Sequence, residues 1–290
     1  HFRIGVHLLE GLITPREAAS HYAQLAEAVL TTVFDLVHQN FAVKYGRILG
    51  SDCAILAMGS LGAGQLNSRS DLDMILIFDA DVNAQSDGAK PLSCRLYFSR
   101  LTQALITALT APTAHGRLYE VDMRLRPYGQ SGILVPSFAA IEEYYQDQGR
   151  DWERYAFVKA RPVAGNIEQG KTFLSWLKPF IYRRHLDYGA LESLREMKGL
   201  IDTQVENKQH YHDLKLGPGG IREVEFITQA LQLIWGGRHP ELQTPEIDLN
   251  LNALASLKFL PEGEVRQLLN AYEFLRNSEH AMQAENDRQT

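Results

Sequence analysis

The chain has 290 residues, enough for one large domain or two modest ones with separate buried cores. With 45% hydrophobic and 22% charged residues, the composition excludes a disordered or fibrous polypeptide. The 29 basic against 35 acidic residues give a net charge of −6, so no global basic field favours a nucleic-acid partner.

Only Cys53 and Cys94 are present, each opening an apolar or helical pattern. That placement predicts two reduced, buried thiols rather than a disulfide. No secretory signal and no apolar run near about 18 residues is found, which predicts a cytoplasmic chain without a membrane partner. The chain opens on His1 rather than Met and closes inside a helical pattern, so we expect a piece of a longer protein.

Thr14-Pro15-Arg16-Glu17 reads as a helix start, with a capping hydroxyl, Pro at the first helical position and Glu at the third. Tyr22, Leu25, Val29, Val33 and Leu36 then recur at helical spacing. Cys53 to Met58 is a short apolar run that suits a buried strand. Gly59 to Ser70 reads as a loop, and Met74 to Phe78 as a second buried strand. Leu96, Phe98, Leu101, Leu105 and Leu109 outline a helix, and Leu118 to Leu125 alternates like a strand with one polar face. Past Pro127 strand signals fade. A helical stretch begins at Ser137, with breaks near Gly165, Gly217 to Gly220 and Gly236-Gly237. The expected fold is therefore α+β, with a catalytic unit over 1–135 (a small mixed sheet with flanking helices) and a helical domain over 136–290.

The informative segment is Gly59-Ser60, then Asp71-Leu72-Asp73, then Asp122 on a later strand 49 residues after Asp73. On an extended strand, residues i and i+2 share a face, so Asp71 and Asp73 project together. Two carboxylates so close repel unless cations neutralise them, and hard oxygen ligands suit Mg²⁺ or Mn²⁺. Two aspartates at a strand start also read as solvated turn residues. Asp122 between Val121 and Met123 is harder to read that way, because an unpaired buried carboxylate is costly. Gly59 lets backbone approach a phosphate, and Ser60 can donate to its oxygens.

Gly-Ser, a spaced Asp-x-Asp and a later strand Asp together resemble the DNA polymerase β-like nucleotidyltransferase superfamily. More closely, Gly59 to Asn67, Ser70-Asp71-Leu72-Asp73 and Val121-Asp122-Met123-Arg124-Leu125-Arg126-Pro127 resemble glutamine synthetase adenylyltransferase/adenylyl-removing enzymes. Those enzymes usually carry Lys at the position of Ser60 and Gly at that of Ala63. The resemblance implies a nucleotidyltransferase fold and two Mg²⁺ ions (Mn²⁺ as a substitute) on Asp71, Asp73 and Asp122. It also implies ATP, ADP and phosphate as substrates or products, with glutamine synthetase and a PII-type nitrogen regulatory protein as partners.

Such enzymes carry two similar halves, one attaching AMP to a tyrosine and one removing it by phosphorolysis. Gln148-Gly149-Arg150-Asp151-Trp152-Glu153-Arg154-Tyr155, Lys159-Ala160-Arg161, Lys215 to Phe226 and the closing Glu285 to Thr290 resemble the removing half. Arg124 and Arg126 alternate with Asp122, and with Lys159 and Arg161 they are candidate phosphate ligands. Each also reads as a solvated basic edge. Gly217-Pro218-Gly219-Gly220 reads equally as a site wall or as the capped start of a helix. Trp152 and Tyr155 read as core residues of the helical part.

Four other readings make distinguishable demands. ATP-dependent attachment of AMP uses the same metal cassette. A catalytically inactive regulatory domain predicts loss of one of the three acidic residues, and all are present. A nucleic-acid polymerase calls for a basic, aromatic-studded groove. An antibiotic-modifying enzyme resembles nothing here beyond Gly59 to Asp122.

Overall fold

A computed structural model describes residues 1–114, 116–184, 192, 194–199, 203 and 213–286. Among these residues the strands are β1 (Asp52–Ala57), β2 (Leu72–Asp79), β3 (Val121–Asp122) and β4 (Arg161–Gly165). The helices are α1 (Phe2–Leu9), α2 (Pro15–Tyr45), α3 (Gly59–Gly62), α4 (Cys94–Thr110) and α5 (Phe138–Asp147). Then come α6 (Asp151–Phe157), α7 (Ile167–Ile181), α8 (Ile221–Trp235), α9 (Ile247–Ser256) and α10 (Glu262–Asn286). The result is the expected α+β architecture. None of the described helices is long and apolar enough to cross a membrane.

The strands form one mixed sheet in the order β3-β2-β1-β4. β1 is antiparallel to β2, with Cys53 opposite Phe78 and Ala57 opposite Met74. β3 runs parallel to β2, and β4 antiparallel to β1. β1 and β2 read as unbroken apolar runs because both sheet faces are covered. Cys53, Ile55 and Ala57 join Met74, Leu76 and Phe78 in one core beneath α2 and α4. Ala54, Leu56 and Met58 join Ile75 and Ile77 in a second core with α5, α6 and α7. A third cluster unites Leu242, Ile247, Leu251, Leu254 and Val265, where Trp235 stacks on Phe259 with ring centres 4.1 Å apart. Cys53 and Cys94 are both free and buried.

α2 starts as its sequence dictates. Thr14 Oγ1 accepts from the Glu17 amide at 3.2 Å, while the Glu17 carboxylate accepts from the Thr14 amide at 2.8 Å. Its buried stripe, however, is Ala18, Tyr22, Ala26, Leu30 and Phe34, and Leu36 is 54% exposed. Alanines, Tyr22, Leu30 and Phe34 carry the contact, and Leu25, Val29 and Val33 lie on its margin. Leu96 likewise faces outward on α4, where Tyr97 and Phe98 are buried instead.

Two strand expectations change. The alternating run Leu118 to Leu125 yields only Val121–Asp122, after which the chain turns. The strand signals that fade after Pro127 return as β4, whose Pro162 and Gly165 hide it from propensity. Both residues are tolerated because β4 is an edge strand that needs ladder bonds on one side alone. The sheet thus takes its last strand from beyond residue 135.

Candidate metal centre

The sheet register builds the acidic cluster. Asp71 stands immediately before β2, Asp73 is the second residue of that strand, and Asp73 is the register partner of Asp122 on β3. Parallel pairing of β2 and β3 sets those two residues side by side. One ligand oxygen from each of Asp71, Asp73 and Asp122 lies within 4.8 Å of the others. Asp71 is exposed, while Asp73 and Asp122 are half-buried.

The electrostatics are unfavourable for a bare cluster. Burial, then the charges of Asp71 and Asp122, push the Asp73 carboxyl up to about 6. At Asp122, burial opposes the charged form, yet hydrogen bonds from Arg124 outweigh it and hold this carboxyl below its usual range. The Arg124 amide donates to Asp122 Oδ1 at 2.8 Å and its Nε to Oδ2 at 2.8 Å. Three convergent oxygen donors, one of them resisting ionisation among like charges, fit a small hard cation.

The Gly-Ser turn sits against this cluster. Gly59 has φ +52°, and a β-carbon there would overlap the Asp73 carboxylate, 3.1 Å from its Cγ. The Met58 amide donates to the Asp73 carbonyl at 2.9 Å, which fixes the turn to the strand. Ser60 follows in the single turn of α3, and its hydroxyl makes no hydrogen bond to a described residue.

The basic residues divide differently from the expectation. Arg124 stays at the cluster and is 65% exposed, but it reaches Asp122 across a turn and not along a shared strand face. Arg126 is buried, and its guanidinium donates to the carbonyls of Met123 (2.7 Å), Ile133 (3.1 Å) and Gln130 (3.2 Å). Lys159 Nζ pairs with Glu225 Oε2 at 2.9 Å inside the fold. Arg161 donates to the Gly62 carbonyl at 2.8 Å and pairs with Glu27 of α2. Those three cations brace loops around the site.

Two cations outside the expected set also act on the cluster: the charges of Lys215 and Arg222 lower the Asp73 carboxyl, against the larger effects of burial, Asp71 and Asp122 that raise it. They flank Gly217-Pro218-Gly219-Gly220, whose glycines feed the start of α8. Basic residues on both sides of a glycine-rich helix start were the available signal.

The other expected motif residues pack. Glu153 is buried and accepts from the Arg150 amide at 2.9 Å and Tyr144 Oη at 3.0 Å. Arg154 Nε donates to the Phe180 and Ile181 carbonyls at 3.0 and 3.2 Å. Tyr155 packs on Phe226, and Trp152 is half-buried at the start of α6. Side chains of the closing motif, Glu285 to Thr290, lie outside the described residues.

Residues 1–176 match the glutamate-ammonia ligase adenylyltransferase family model, and residues 195–290 match that of GlnD PII-uridylyltransferase. A bifunctional glutamine synthetase adenylyltransferase/adenylyl-removing enzyme of Pseudomonas aeruginosa is 48% identical over 281 residues, 94% of this chain and 28% of that protein. Proteins of the same description match from Hahella chejuensis (44% identical, 98% of this chain, 30% of that protein) and Idiomarina loihiensis (42%, 96% and 30%). The chain spans less than a third of the length of these curated relatives.

Proposed function

The chain belongs to the glutamate-ammonia ligase adenylyltransferase family, and on that premise we propose that it moves an adenylyl group on a tyrosine of glutamine synthetase. The observation that carries this reading is the convergence of Asp71, Asp73 and Asp122 at the β2–β3 register pair. These carboxylates would hold two Mg²⁺ ions, or Mn²⁺ in their place, whose charge would stabilise phosphoryl oxygens as negative charge builds on them.

The direction proposed is phosphorolytic removal of AMP. An oxygen of inorganic phosphate forms a bond to the adenylyl phosphorus, the bond from phosphorus to the tyrosine oxygen breaks, and ADP and free tyrosine result. Phenolate is a tolerable leaving group because a free tyrosine titrates at about 10. Both reactants are anionic, so the site must supply positive charge beyond that of Arg124. The choice of direction rests on the resemblance of Arg150 to Tyr155 and of Lys215 to Phe226 to removing halves. A PII-type nitrogen regulatory protein is the proposed regulator and the cytoplasm the proposed compartment. The division into 1–135 and 136–290 stands as a proposal, with β4 reaching from the second segment into the sheet of the first.

Incubating the chain with adenylylated glutamine synthetase, Mg²⁺ and phosphate, and measuring ADP, tests the reading. The second reading is ATP-dependent attachment. The relatives' names carry both activities, and one metal cassette serves either direction. AMP attached from ATP without ADP release from the modified enzyme would reverse the assignment.

A further inference from the structure

The turn that seats Asp73 is too short to hold itself. α3 is a single helical turn, in which the Gly62 amide donates to the Met58 carbonyl at 2.7 Å and the Ala63 amide to the Gly59 carbonyl at 3.1 Å. A lone turn fixes several backbone angles for very few bonds, so its placement must come from neighbouring elements.

Arg161 supplies that hold. It opens β4 as the register partner of Ala57, the last residue of β1 before the turn. Its Nε donates to the Gly62 carbonyl at 2.8 Å and its Nη2 to the Leu61 carbonyl at 3.0 Å. One planar guanidinium thus grips both carbonyls at the C-terminal end of α3. Its Nη1 donates to Glu27 Oε2 at 3.0 Å, which ties the same group to α2. Gly62 also lies on the Lys159 backbone, whose carbonyl oxygen would stand 2.1 Å from a β-carbon there. At its other end α3 begins with Gly59, which abuts the Asp73 carboxylate, and the Met58 amide donates to the Asp73 carbonyl at 2.9 Å. α3 is therefore clamped at its carbonyl end and in contact with a carboxylate of the acidic cluster at its amino end.

We propose that Arg161 is a positioning residue for the metal centre: through α3 it holds Gly59 against Asp73 and so sets the direction in which that carboxylate meets a divalent cation. It rests on the reading of Asp71, Asp73 and Asp122 as metal ligands. Arg161 itself touches neither metal nor substrate in this role. The sign of its effect separates position from charge. Removing a cation near a site for a dication strengthens metal binding through charge alone, so weaker binding after its removal reports geometry.

Mn²⁺ titration followed by electron paramagnetic resonance at pH 7.5 tests this on the chain and its Arg161→Met, Arg161→Lys and Glu27→Gln variants, with folding checked by melting curves. Arg161→Met is expected to bind Mn²⁺ about tenfold more weakly than the parent. Arg161→Lys keeps the charge but lacks the fork that reaches two carbonyls, and it should fall between them. Glu27→Gln keeps an oxygen that accepts from Nη1, and it should stay within about threefold of the parent. Parent-like or tighter binding by folded Arg161→Met, or by Arg161→Lys where the Met variant does not fold, overturns this inference alone. Equal weakening in Glu27→Gln and Arg161→Met does the same, since it would report a general loss of stability. Absence of saturable Mn²⁺ binding by the parent overturns it together with the metal-centre reading.

Discussion

The Asp73 carboxylate occupies the space that any side chain at Gly59 would need, because a β-carbon there would overlap it 3.1 Å from Cγ. The positive φ of +52° at Gly59 adds a conformational cost for every other residue. Gly59→Ala is therefore expected to push Asp73 out of the cluster. Turnover should fall by about a hundredfold or more, as for a misplaced catalytic group. Stability should fall by about 1–2 kcal/mol from the left-handed backbone alone. Steady-state rates and urea denaturation check both, and wild-type turnover in the variant would count against this placement of the turn.

The like-charge cluster makes a pH-dependent stability signature. Asp73 sits at about 6 when folded, chiefly through burial, against 3.8 as the ordinary value. Between those values the folded state binds a proton that the unfolded chain does not, so stability falls as pH rises through that window. Asp73→Asn removes the titrating group. Without metal it should be more stable than the parent above about pH 6, on the order of 2 kcal/mol after allowance for partial exposure, and equal to it near pH 4. Melting curves from pH 4 to 8 in a chelator read the difference. A variant less stable than the parent at pH 8 would contradict the account.

Lys159 is expected to act on stability first. It pairs with Glu225 at 2.9 Å, and its removal leaves a carboxylate buried without that partner. Lys159→Met should cost about 3 kcal/mol, and Lys159→Met combined with Glu225→Leu should recover much of it. Denaturant titrations of the single and double variants measure the coupling. Independent, additive effects would show that the pair does not brace α8 against the sheet.

The sheet itself forecasts a truncation result. Ending the chain at residue 135 removes β4 and leaves β1 as an open edge. It also strips α5, α6 and α7 from the core that buries Ala54, Leu56 and Met58. The 1–135 fragment should be insoluble or lack a cooperative melt, through an unpaired apolar edge and an uncovered face. A soluble, cooperatively folded fragment would be the contrary result.

What could be read from the sequence depended on how local its cause was. Asp71 and Asp73 share a strand start, Asp122 lies between apolar residues, and Gly59 precedes Ser60; each signal spans a few residues. The capping box at Thr14 and Glu17 was legible for the same reason. The fates of Lys159 and Arg161 were not, because the carboxylates they meet, Glu225 and Glu27, are far away in the chain. Arg126 looked like a strand neighbour of Asp122 because nothing in its alternation showed that the strand stops at Asp122. β4 was hidden since its pairing comes from the free edge of β1, a tertiary fact that outweighs Pro162 and Gly165.

Direct Mn²⁺ binding tests the central claim, that Asp71, Asp73 and Asp122 together form a divalent metal centre. The measurement is an electron paramagnetic resonance titration of the chain and its Asp71→Asn, Asp73→Asn and Asp122→Asn variants at pH 7.5. The account predicts saturable binding by the parent, displacement by excess Mg²⁺, and affinity at least about tenfold weaker in every folded variant. Parent-like Mn²⁺ affinity in Asp73→Asn, the carboxylate at the middle of the cluster, would contradict it.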